Sequence, residues 1–139
     1  MYHFNEGMIA LPEEWQDVTI NVLSEKKSEG SGLSFTIARD TPPWGMKFDE
    51  FAEQEIKRLQ KQLPDFSEKE RIELNINARD VKGAEFTWRS THGKMHQIIC
   101  FVDAVSIVLI FTATMQNELS AGQKETVLSL LQTLRLREK

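Results

Sequence analysis

Of 139 residues only one is a cysteine, and no stretch gathers the lysines and arginines into a basic tract. A lone Cys100 excludes an intramolecular disulfide and any multi-cysteine zinc or iron–sulfur site. Its place inside an apolar run marks it as an inert core thiol. A formal charge of −4 with dispersed basic residues leaves no electrostatic footprint for nucleic acid. Met1 to Glu6 show no basic segment followed by an apolar one, so no signal peptide is expected. The longest apolar stretch falls short of the roughly 18 residues of a membrane span, and Asp103 interrupts it. The expectation is a cytoplasmic protein, not itself membrane-spanning. Repeats, linkers and low-complexity tracts are also missing. With this length, that predicts a single domain over residues 1–139.

Catalytic patterns are scarce as well. Gly30-Ser31-Gly32 is not followed by the lysine and helix start of a phosphate-cradling loop. His92 and His96 have metal-ligand spacing only on a helix, and Gly93 places them on a turn and a strand. His96 and Cys100 share a strand parity but would stand about 13 Å apart, too far for a nucleophile pair. Glu68, Glu70 and Glu73 read as solvated charge, and Asp40 as a turn residue. The residues point to no enzyme, no metal site and no cofactor.

What the chain does have is an apolar run with both side-chain parities greasy: Ile98 to Val102, then Asp103-Ala104, then Val105 to Phe111. A half-exposed strand would alternate. These strands must be covered on both faces, and helices packed on one side would leave a face bare for a hydrophobic partner. Around the run, Tyr2 to Leu11 reads as a strand bent at Glu6-Gly7, Pro12 to Trp15 as a turn, and Trp15 as a lid over a sheet edge. Val18–Leu23 and Leu33–Ala38 alternate and predict a hairpin across a Ser28–Gly32 loop. Phe48, Phe51, Ala52, Ile56, Leu59 and Leu63 recur at helical spacing, and Pro64 ends that helix. Residues 70–115 predict a four-stranded antiparallel meander, with turns at Asp80–Gly83, His92-Gly93 and Asp103-Ala104. Ser120 with Gln123 is a capping box. It opens a last helix whose stripe is Val127, Leu128, Leu130, Leu131 and Leu134. The fold class is α+β, an antiparallel sheet with flanking helices.

Polar residues on an otherwise apolar sheet are the best functional signal. Gln97 shares the parity of Ile99 and Phe101, and Thr19 and Asn21 lie opposite the apolar parity of their strand. Such groups either meet water or bond to carbonyls and hydroxyls of an apolar guest. A homodimer burying the spare face remains an alternative. So does a small ligand-binding or catalytic domain, which would need His92, His96 and Asp40 to converge.

Several blocks resemble a known family. They are Tyr2-His3-Phe4-Asn5-Glu6-Gly7, Leu11-Pro12-Glu13-Glu14-Trp15-Gln16-Asp17, Ile20-Asn21-Val22-Leu23, Gln97 with Phe101-Val102, and Phe111-Thr112-Ala113-Thr114. Over nearly the whole chain they resemble the Eag chaperones of bacterial type VI secretion, a branch of the DcrB-like DUF1795 group. That family is similar in fold to Mog1 and PsbP. The resemblance implies a cytoplasmic homodimer that binds the hydrophobic N-terminal transmembrane segments of PAAR-domain, often Rhs, effectors. It would shield them until they are loaded onto the secretion spike. It implies client contacts at Ile20, Val22, Ile37 and Gln97, with Gln60 or Gln62 as a second glutamine. With no nucleotide site visible, the holding would be ATP-independent.

Overall fold

The computed structural model describes residues 1–24 and 32–137. In chain order its elements are β1 (Tyr2–Phe4), β2 (Gly7–Ile9), β3 (Asn21–Ser24), β4 (Ser34–Asp40), α1 (Phe48–Gln62), β5 (Ser67–Ile76), β6 (Arg79–Ser90), β7 (Gly93–Asp103), β8 (Val108–Gln116) and α2 (Ala121–Gln132). Strands β3 to β8 form one antiparallel six-stranded sheet in the order β3-β4-β8-β7-β6-β5. The meander expected over residues 70–115 is present as β5 to β8. The β3–β4 hairpin extends it beyond β8. The Ser28–Gly32 loop, apart from Gly32, lies outside the described residues.

The two parities of β7 belong to different cores. Ile98, Cys100 and Val102 pack with Val127 and Leu131 of α2. Ile99 and Phe101 pack with Phe51, Ala52 and Ile56 of α1. Because successive strand residues point to opposite faces, the doubly apolar run requires a helix on each side. The helices are therefore not packed on one side, the arrangement that would have left a whole face bare. Phe51 meets Phe101 edge-on, with ring centroids 6.1 Å apart. In α2, Ser120 forms the predicted capping box with Gln123. Leu130, expected in the buried stripe, is 52% exposed.

Coverage by α1 is partial. Its cluster takes Ala84 and Phe86 from β6, Ile99 and Phe101 from β7, and only Val108 and Ile110 from β8. Among the described residues, none from β3 or β4 packs into it. The surplus sheet area is therefore half of one face, the β3–β4–β8 half on the α1 side.

Several turns differ from their sequence reading. Asp80 to Gly83 is not a turn but the start of β6. The chain reverses at Asn77 and Ala78, both in the left-handed region (φ 50° and 65°), in a two-residue hairpin closed by Ile76 and Arg79. Gly83 is needed for close approach instead: a Cβ there would lie 2.0 Å from the Ile99 carbonyl oxygen. The β7–β8 reversal takes Ala104 to Ile107, with Val105 at φ 72° and 81% exposed, so β8 begins only at Val108. Tyr2 to Leu11 is no bent strand but a small hairpin, β1–β2, outside the main sheet. Of Val18–Leu23 only the part from Asn21 pairs in the sheet. Trp15, expected as a lid over a sheet edge, is 63% exposed.

Candidate functional site

The uncovered half-face is built by cross-strand register. Val22 of β3, Thr36 of β4 and Thr112 of β8 stand in one row, which runs under α1 at Ile99 of β7. Ser24, Ser34, Thr114 and Gln97 stand in the next. Ala38 and Ile110 pair beside them. Ser34, Thr36, Ala38, Ile110, Thr112 and Thr114 are half-buried, while Val22 is 67% and Ile20 57% exposed. These positions carry no ionisable group. The result is a surface of small apolar and hydroxyl side chains, with the Asp40 carboxyl at one border and Glu55, paired with Arg58, on the neighbouring flank of α1.

Gln97 is fixed within this face. The indole Nε1–H of Trp88 donates to Gln97 Oε1 at 2.7 Å. Gln97 Nε2 in turn donates to Thr114 Oγ1 at 2.9 Å. All three side chains are half-buried. Nothing local in the sequence joins Trp88 and Thr114 to Gln97; only the register Gln97↔Thr114 and the diagonal from Trp88 bring them together.

The other candidates divide. Val22 lies on the Gln97 face, and Ile20, just before β3, has the same parity. Ile37 does not join them: it pairs with Asn21 and Phe111 on the opposite face and packs into the α2 core. Asn21 is on that opposite face too. Thr19, of the same parity as Asn21, accepts or donates with the Tyr2 hydroxyl at 2.9 Å and touches Asp17. Thr19 and Asn21 border a separate polar cleft of about 460 Å³ between the N-terminal hairpin and Arg39. Gln60 and Gln62 are both exposed on α1. At about 100° per residue, Gln60 shares the flank of Glu53, which reaches Arg71 of β5 at 2.7 Å. Gln62 shares the other flank with Phe51, Glu55 and Arg58, turned toward the open half-face. Glu55 and Arg58 pair there at 2.6 Å.

One buried polar cluster lies under α2, away from this face. His96 Nδ1 accepts the Leu119 backbone N–H at 2.8 Å, so its Nε2 carries the proton and donates to Glu85 Oε2 at 2.6 Å. Lys124 Nζ reaches the same oxygen at 2.8 Å. Burial opposes the Glu85 charge, but the bonds from Lys124 and then His96 outweigh it and hold the carboxyl below its usual range. This cluster ties β6 and β7 to the start of α2. Burial pushes the Cys100 thiol up to about 12. Asp40 pairs with Val108, at the end of the sheet opposite the His92 turn. The convergence of His92, His96 and Asp40 that a catalytic reading needs does not occur. Among the described residues, no three His, Cys, Asp or Glu side chains gather to hold a metal, and no helix is long and apolar enough to cross a membrane.

A family model named DcrB matches residues 6–133. The chain belongs to the DcrB family. This DcrB-family chain is similar to a protein named Effector EagT6 from Pseudomonas aeruginosa. The two are 27% identical over 118 residues, covering 82% of this chain and 80% of that protein. A crystal structure from the same species, of a protein of unknown function called PA94 and described as a putative regulator, superposes with a TM-score of 0.82. It is 25% identical and covers 99% of this chain and 96% of that one. The solution structure of cyanobacterial PsbP (CyanoP) from Synechocystis sp. PCC 6803 gives a TM-score of 0.51 at 7% identity, covering 82% of this chain and 77% of that one. The latter likeness is one of fold alone. The DcrB-family chain thus has the expected Mog1/PsbP-like α+β architecture.

Proposed function

We propose that the protein is an ATP-independent cytoplasmic chaperone. Its client is the apolar, membrane-spanning type of segment at the N-terminus of a PAAR or Rhs-type type VI secretion effector. It holds that segment as a homodimer until the effector is loaded onto the secretion spike. The observation that carries this reading is the half-face that α1 leaves uncovered, with Val22 and Ile20 exposed beside a row of uncharged hydroxyl and amide groups. Such a surface removes Leu, Ala and Gly side chains from water, which drives association in proportion to the apolar area buried. It also offers bonding groups like those that join helices in lipid. Similarity to an Eag-named protein over most of the chain supports the same reading.

The test is co-expression with a PAAR effector encoded beside it, followed by co-purification. Deleting only the effector's apolar N-terminal helices should abolish recovery. Undiminished recovery of that truncated effector refutes the proposal. A dimeric scaffold without such a client predicts instead that the isolated dimer already buries Val22 and Thr112, which solvent-exchange footprinting of the free protein reads directly.

A further inference from the structure

The polar cleft between the N-terminal hairpin and Arg39 has a volume of about 460 Å³, which falls in the usual range for small-molecule sites. It is separate from the open half-face. Asn21 and Arg39 share the parity of Ile37 and so stand on the other side of the sheet.

One residue organises the charges of this cleft. The Thr19 backbone N–H donates to Asp17 Oδ1 at 2.9 Å, and the Thr19 carbonyl accepts from Arg39 Nη1 at 3.3 Å. The Ile37 carbonyl takes the other Nη1 hydrogen at 3.2 Å. The guanidinium is thus pinned by neutral oxygens and forms no ion pair among the described residues. Its Nε and Nη2 hydrogens remain as a side-on fork, the geometry that takes a carboxylate through two parallel bonds. On the other side, a carboxylate only accepts, so the Thr19 hydroxyl donates to Asp17 Oδ1 and the Tyr2 hydroxyl donates to Thr19. Asp17 Oδ2 is left open. A free donor fork and a free acceptor therefore flank the backbone of a single residue. The α-carboxylate and α-ammonium of one amino acid have that same separation.

Charge narrows the class further. Asp17 and Glu6 face Arg39 alone, so with His3 neutral the cleft carries an excess of negative charge. It repels a phosphate or a dicarboxylate, and a simple zwitterion leaves Glu6 unanswered. A ligand with one carboxylate and two cationic groups balances it. Tyr2 and Phe4 add aromatic surface for the carbon chain between those groups.

We propose that this cleft binds a free basic amino acid of the lysine or arginine type. Its carboxylate takes the Arg39 fork, its α-ammonium bonds to Asp17 Oδ2, and its side-chain cation reaches Glu6. Glu6 and Tyr2 belong to the N-terminal hairpin and Arg39 to the main sheet, so the ligand ties the two together. The site does not depend on the chaperone reading.

The test is calorimetric titration of the full chain with L-arginine and L-lysine at low ionic strength. Both should bind with a sub-millimolar Kd and slow hydrogen exchange at the β2 amides of Met8 and Ile9. Agmatine, which lacks the carboxylate, and norleucine, which lacks the side-chain cation, should bind at least about tenfold more weakly. Arg39→Met should weaken arginine binding by a similar factor, and Arg39→Lys should restore only part of it, because an ammonium has no fork. If the Arg39 variants fail to fold, Glu6→Gln on the exposed turn serves instead, since it should erase the preference for arginine over norleucine. Neither residue stands on the open half-face, so Glu6→Gln and a folded Arg39→Met should still capture the effector. Failure of both amino acids to bind at millimolar concentration overturns the proposal. So does binding of agmatine or of Nα-acetylarginine as tight as that of arginine, because the carboxylate or the ammonium would then be unheld.

Discussion

Replacing Glu85 with alanine should cost about 3 kcal/mol of folding stability, within the range for breaking a buried charged pair. The carboxylate is only 6% exposed and takes bonds from His96 and Lys124. Its removal leaves the His96 Nε2–H buried without an acceptor, since His96 is 1% exposed and its other nitrogen is committed to Leu119. Lys124 contributes less, because at 37% exposure its ammonium turns to water. With a urea m-value of about 2 kcal/mol/M, the midpoint should fall by roughly 1.5 M at unchanged slope. The pH dependence has a definite sign. A carboxyl whose pKa is lowered on folding stabilises above its unfolded pKa, and that contribution disappears as pH falls through the folded value. Wild type should therefore lose stability on acidification below about pH 4.5, and Glu85→Gln should flatten that acid limb. A midpoint shift under about 0.3 M for Glu85→Ala would refute the view that this cluster anchors α2.

The remaining expectations concern other parts of the sheet. Val22→Asp should leave the urea midpoint within about 0.3 M of wild type, since the side chain is 67% exposed, yet prevent client co-purification. Ile37→Asp should instead destabilise by about 2–4 kcal/mol through the α2 core, and equal behaviour of the two variants would contradict the assignment of faces. Gly83→Ala should cost at least about 2 kcal/mol by thermal unfolding, because the new methyl meets the Ile99 carbonyl, and a neutral result would mean that β6 and β7 separate freely. Cys100, buried and with its thiol pushed up to about 12, should resist alkylation at pH 8 in the native protein and react once denatured. Native-state labelling at the rate of a free thiol would contradict its burial.

Local chemistry made much of the architecture readable from residues 1–139 alone. The stripe from Phe48 to Leu63, the stop at Pro64, the Ser120 capping box and the alternation in Leu33–Ile37 each depend on neighbours a few positions away, so they survive as written. The doubly apolar β7 also announced that both sheet faces would be covered. Turn chemistry misled where a residue had two uses: Gly83 looks like a turn glycine but is there for a close approach, and Asn77-Ala78 turns without glycine. Only the folded chain decided which helix takes which face and how far α1 reaches. From that follow the separation of Ile37 from Val22 and the row of Gln97, Thr114, Ser34 and Ser24, with Trp88 bonded to Gln97 from the diagonal position. The physical reason is register: strands far apart in sequence become neighbours through pairing, and a shift of one residue would send every side chain to the other side. Sequence periodicity tells that a strand has two faces, while the pairing partner and the helix above it determine what each face meets.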